Sequence, residues 1–118
     1  IMVFIRHEES PIIKEAVQGG KGKVEVYPIL KNDEEMYNKG RVYSKFVLPK
    51  GSEVGVHTHT GDFESYYILS GKGKYFINDQ WVDVCPGDSL YTGEGERHGI
   101  KNESDEPLVF IGLIIYTD

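Results

Sequence analysis

After Gly22, turn-forming residues punctuate the chain so often that each apolar run between them has the length of a strand. These runs cover residues 23–30, 41–48, 53–59, 64–69, 73–78, 81–85, 89–92, 97–102 and 107–116. Asn78-Asp79 is a tight-turn dipeptide and predicts a hairpin just ahead of Trp81. Fourteen glycines suit such a chain, because a compact β architecture needs repeated turns with positive φ. Residues 107–116 are almost continuously apolar, so both faces of that strand should be covered, and a partner subunit could supply the second cover. Helical signals are scarce. The one candidate is 11–18, where Pro11 can take a first helical position after a Ser10 cap. The pattern predicts an all-β sandwich or barrel rather than alternating strands and helices.

At 118 residues the chain has room for one hydrophobic core. The expected division is an N-terminal extension, 1–22, with a possible dimer contact, followed by a single domain, 23–118. Thirteen basic against nineteen acidic residues leave a net charge of −6, with no basic cluster. Nucleic acid and anionic membranes are therefore poor partners. No run approaches a membrane span and no leader pattern opens the chain, so the cytoplasm is the expected compartment. Ile1 reads as a residue ahead of the true start. Cys85, the only cysteine, excludes an internal disulfide and is expected to be a buried, inert thiol.

Three of the four histidines, His57, His59 and His98, fall in one pattern with Glu64. Strand side chains alternate, so His57 and His59 share a face. Two imidazoles and a carboxylate on one side make a chelate for a divalent transition metal. Mixed nitrogen and oxygen donors suit Mn, Fe, Ni, Cu or Zn rather than Ca²⁺ or Mg²⁺, which prefer oxygen alone.

These residues resemble the two motifs of the cupin superfamily. The first, G-x5-H-x-H-x4-E-x6-G, is met at Gly51, His57, His59, Glu64 and Gly71. The second, G-x5-P-x-G-x2-H-x3-N, is met at Gly87, Gly95, His98 and Asn102. Gly93 stands where that motif usually has proline, which keeps the spacing but loosens the loop before His98. The resemblance implies a double-stranded β-helix, a jelly-roll barrel, with His57, His59, Glu64 and His98 holding one metal ion inside its mouth. It also implies a homodimer, for which 2–5 and 107–116 offer apolar contacts. It names no reaction, since the superfamily holds enzymes, storage proteins and sugar-binding domains.

Four protein donors leave a six-coordinate ion two positions for a small-molecule ligand. The leading expectation is a metal-dependent enzyme acting on a small, oxygen-rich metabolite by isomerase, lyase or dioxygenase chemistry. The alternative is a non-catalytic module that binds a sugar or organic acid on its metal. Alternation along 64–70 puts Glu64, Tyr66, Ile68 and Ser70 on the inner face. Tyr66 is the candidate catalytic residue, as hydrogen-bond donor or general base, and the plainer reading is that its ring lines the barrel. Tyr43, Tyr75, Tyr91 and Arg97 are further candidates near the site. A surface ion pair is the plainer fate of Arg97, and Trp81 is expected to pack on the outer face. Asn102 should satisfy backbone groups at a strand end, and Glu94 and Glu96 read as solvated loop charges. His7 has no motif partner and is expected in solvent.

Overall fold

The computed structural model describes residues 3–118. The expectations for Ile1 and for the Met2 end of the N-terminal apolar segment lie outside those residues. Ten strands follow one another: β1 (Ile12–Glu15), β2 (Lys23–Leu30), β3 (Gly40–Leu48), β4 (Glu53–Thr58), β5 (Asp62–Ser70), β6 (Gly73–Ile77), β7 (Gln80–Val84), β8 (Ser89–Thr92), β9 (Arg97–Lys101) and β10 (Leu108–Tyr116). They form a six-stranded sheet in the order β1-β2-β3-β10-β5-β8 and a four-stranded sheet in the order β4-β9-β6-β7. Every pairing is antiparallel. No helix among the described residues is long and apolar enough to cross a membrane.

The two sheets bury their inner faces against each other. Val24, Val26, Leu48, Tyr66, Ile68, Leu108 and Phe110 from the large sheet meet Val54, Tyr75, Val84 and Ile100 from the small one. Each such side chain stabilises the fold by about 1.5–3 kcal/mol relative to exposure. Asn78 and Asp79 both adopt positive φ (51° and 61°), which builds the expected hairpin between β6 and β7. On the outer face of the small sheet, Trp81 packs edge-on against Phe76, with the Lys101 ammonium 4.2 Å above the indole.

Three expectations need correction. Residues 11–18 form no helix: β1 pairs with β2, and a 3-10 turn at Val17–Gly19 follows. Ile12 and Ile13 are β-branched, eight residues are too few for an isolated helix, and Ala16 and Gln18 have positive φ (51° and 53°). Cys85 is exposed, because Val84 ends β7 facing inward and the next residue turns outward. Its N–H is bound by the Asp88 carboxylate at 2.8 Å. Ser70 is also exposed, since a register shift opposite Val109/Phe110 leaves Leu69 unpaired and breaks the alternation. On β10 this chain buries one face and half-covers the other. Leu108, Phe110 and Ile114 are buried, whereas Val109, Ile111, Leu113 and Ile115 are half-buried.

One irregularity positions the site. Val54 pairs with Ile100 and His57 with His98, so β4 carries one residue more than β9 over that stretch. Strict alternation from the inward Val54 would turn His57 outward. The bulge at Gly55-Val56 resets it to the inner face. Glycine is required at 55, because a Cβ there would lie 2.1 Å from the Gln18 carbonyl oxygen.

Candidate metal centre

Four side chains converge between the sheets at one end of the fold. His57 comes from β4, His98 from its cross-strand position on β9, and Glu64 from β5 of the opposite sheet. His59 lies just beyond β4, in a loop whose backbone bonds tie it to Gly95 and Glu96 at 2.7 and 3.0 Å. The segment before His98, where glycine replaces the expected proline, is therefore anchored. His57 Nε2 lies 3.1 Å from His98 Nε2, which lies 2.9 Å from His59 Nε2. Glu64 Oε1 is 3.0 Å from both His59 Nε2 and His98 Nε2. One donor atom from each of the four lies within 4.8 Å of the others, and His59, Glu64 and His98 are buried.

This spacing fits a metal ion. Donors at right angles around one ion, each about 2.1 Å from it, lie about 3.0 Å apart. The outer nitrogens support the same reading. His57 Nδ1 donates to the Gly55 carbonyl at 2.7 Å, and His59 Nδ1 donates to the Asp62 carboxylate at 2.6 Å. Both acceptors lack a proton to give, so the neutral rings present bare Nε2 lone pairs inward. His98 Nδ1 meets the Tyr75 hydroxyl at 2.7 Å; that hydroxyl also contacts Thr92 Oγ1 and can accept from the ring while donating to the threonine. Four electron-pair donors at such distances repel unless a cation or protons sit between them. Among the described residues this is the one group of histidines, cysteines and carboxylates close enough to hold a metal.

In the metal-free protein protons fill that role. Hydrogen bonding to Glu64 raises the His59 pKa, against burial, with Asp62 adding to the rise. Burial pushes the Glu64 carboxyl up, but hydrogen bonds from His59 and His98 outweigh it and hold the group below its ordinary value. His57 is lowered, first by burial and then by its imidazole neighbours, so it stays neutral and ready to ligate.

Tyr66 is buried beside the centre, its ring 5.3 Å from His98 and 4.5 Å from Phe110. Burial, then the Glu64 charge, raises its phenol well above the ordinary value. Tyr75 is pushed up to about 12 by burial. The other candidates lie elsewhere. Tyr91 is exposed against Phe63, and Arg97 reaches Asp79 at 3.4 Å and stacks over Phe76. Tyr43 is half-buried, and Glu94, Glu96 and His7 are exposed. Asn102 is buried and donates to the Leu48 and Glu106 carbonyls at 2.9 and 2.8 Å. Sequence reasoning missed Asp62 and its partner Arg41. The only signal was an aspartate three residues after His59.

Comparison with known proteins agrees with the geometry. The chain is 41% identical, over 97% of its length and 93% of the relative's, to an oxalate-binding protein of Thermotoga maritima. It superposes on the crystal structure of a predicted oxalate decarboxylase from Thermotoga maritima with a TM-score of 0.87 and 41% identity, over 91% of this chain and 92% of that one. The cupin domain of a transcriptional regulator from Enterobacter cloacae shares the fold alone, at a TM-score of 0.68 and 24% identity over 80% of this chain and 98% of that one. Residues 44–116 match the cupin domain family, and that span contains β4, β5, β9 and the loop that carries His59, and with them the four converging donors. The fold is thus a double-stranded β-helix, and this chain belongs to the cupin family.

Proposed function

We propose that this protein binds a small dicarboxylate of the oxalate class at a single divalent transition metal held by His57, His59, Glu64 and His98. The carrying observation is the donor set itself, with four atoms within 4.8 Å and two imidazoles tied by their outer nitrogens to pure acceptors. The name of the Thermotoga maritima relative supports the ligand class. Mn, Fe, Ni, Cu and Zn all suit the donors. Bound there, such a metal supplies an electrophilic centre for carboxylate oxygens. The chain supplies the rest. Glu64 contributes the one anionic donor, and the buried aromatic wall of Tyr66, Tyr75 and Phe110 keeps bulk water from the inner side. Tyr66 remains protonated at neutral pH and serves as a hydrogen-bond donor, not a base.

Elemental analysis of purified protein, followed by calorimetric titration with oxalate, malonate and acetate, tests this reading. The expected result is about one metal per chain, and oxalate binding that disappears after chelation. Equal binding of oxalate to metal-free protein would refute it.

A second reading, turnover by a decarboxylase or lyase-type reaction, is favoured by one observation: a protonated phenol beside His98, able to donate to a developing carbanion. Tyr66 is then the catalytic acid. Formate and CO₂ release from oxalate, lost in Tyr66→Phe, is its signature. We further propose that two copies associate through the half-buried outer face of β10 and the N-terminal extension, where Val3, Ile5, Ile12 and Ile13 are exposed. Light scattering should return twice the chain mass, and a monomer at micromolar concentration would refute the dimer.

A further inference from the structure

We infer that Asp62 and Arg41 form a positioning pair that holds the His59 ring and sets how tightly the centre retains its metal. This rests on the metal-binding reading above and adds two residues to it. Asp62 opens β5 with its side chain only 6% exposed, whereas the Arg41 side chain, at the start of β3, is 46% exposed. The carboxylate is fully bridged. Its Oδ1 accepts from His59 Nδ1–H at 2.6 Å, and its Oδ2 accepts from Arg41 Nε–H at 3.0 Å.

His59 needs such an anchor more than its neighbours do. His57 and His98 sit on paired strands and face each other across the β4–β9 ladder. His59 lies past the last residue of β4, where backbone bonds to Gly95 and Glu96 hold its main chain but do not set the rotation of its ring. The three imidazoles also lean on different acceptors. His57 has a backbone carbonyl and His98 a tyrosine hydroxyl, and only His59 has a charged group. An anionic acceptor at Nδ1–H fixes the tautomer and makes Nε2 a stronger electron donor. A buried carboxylate without a counter-charge carries a heavy desolvation cost, which the Arg41 guanidinium offsets from the surface. Because β3 and β5 flank β10, the same pair could instead serve only to tie the sheet together.

Five proteins separate these roles: the natural chain, Asp62→Asn, Arg41→Met, Arg41→Lys and the double variant of Asp62→Asn with Arg41→Met. Each is stripped with chelator and measured for its Zn²⁺ dissociation constant against a chromogenic competitor, its visible spectrum with Co²⁺, and its metal-free melting temperature. Asp62→Asn should weaken Zn²⁺ binding about 10- to 100-fold and shift the Co²⁺ bands. Arg41→Met should weaken it less, about 3- to 10-fold, with Arg41→Lys restoring most of the loss. The double variant should bind no more weakly than Asp62→Asn, because Arg41 reaches the ring only through that carboxylate. Losses that multiply in the double variant would overturn the inference. So would a Zn²⁺ affinity for Asp62→Asn within twofold of the natural chain with an unchanged Co²⁺ spectrum, whatever its melting temperature. If metal-free Asp62→Asn does not fold, Arg41→Met decides: an affinity equal to the natural chain's refutes the pair, and a loss rescued by Arg41→Lys supports it. A natural chain that binds neither Zn²⁺ nor Co²⁺ would sink the metal-binding reading itself, a distinct failure.

Discussion

Replacing His57 with alanine should separate metal binding from folding. Of the three converging imidazoles His57 is the one that is not buried, and its outer nitrogen bonds only to Gly55, two residues away. Losing that bond removes about 0.5–1.5 kcal/mol of net stability. With an unfolding entropy of about 2.1 cal/mol/K per residue, the 118-residue chain shifts its melting temperature about 4 °C per kcal/mol. The metal-free variant should therefore melt about 2–6 °C below the natural metal-free protein. The metal-bound comparison differs sharply. A ligand at a hundred times its dissociation constant stabilises by about 2.7 kcal/mol, or about 11 °C here. Losing a direct ligand should cost at least the ~100-fold that marks the upper end for outer partners. At the same metal concentration the variant then gains at most about 0.4 kcal/mol, or about 2 °C. Scanning calorimetry of chelated and reloaded samples reads both shifts. A variant that keeps the full metal-induced gain would refute the ligand role of His57. A variant that fails to fold without metal would show that this ring supports the fold instead.

Three other outcomes are expected. The raised pKa of His59 means that the metal-free fold binds a proton there more tightly than the unfolded chain does; this stabilisation is complete below about pH 6.5 and fades as pH rises through the raised value. Metal needs the same nitrogen deprotonated, so the melting-temperature gain from metal should be larger at about pH 7.5 than at about pH 5.5, and equal gains would contradict the assignment. Asn102→Ala deletes two donated bonds, to Leu48 and Glu106, and two accepted from Ser104; it should cost about 3 kcal/mol, and a melting temperature lowered by less than about 3 °C would contradict it. Gly55→Ala should cost about 2–4 kcal/mol and weaken metal binding by disturbing the bulge that turns His57 inward, whereas Gly93→Ala, whose Cβ would meet nothing nearer than 3.5 Å, should change stability by less than about 0.5 kcal/mol in the same thermal scans.

The sequence alone determined most of the framework. Strand-length apolar runs between turn residues anticipate β2 through β10, with most ends within a residue or two, because alternation and turn chemistry act between near neighbours. Local spacing singled out His57, His59 and Glu64 for the same reason, since the histidines are two residues apart and Glu64 follows within one turn and strand start, whereas His98, 39 residues beyond His59, joined them only through the resemblance to the cupin motifs. Tertiary structure decided the remainder. Residues 12–15 became a strand because β2 offered an edge to pair with, and no local signal reports that edge. His57 faces inward only because β4 gains a residue against β9, and the carbonyl of Gln18 makes glycine necessary at that bulge. The acceptors that orient His59 and His98 are Asp62, backed by Arg41, and Tyr75, backed by Thr92. Arg41 lies 21 residues from Asp62 and Tyr75 lies 23 from His98, so their partnership depends on strand order and register. Side-chain direction and electrostatic pairing of that kind arise only once the two sheets have closed on each other, when burial makes an unpaired charge costly enough to select its partner.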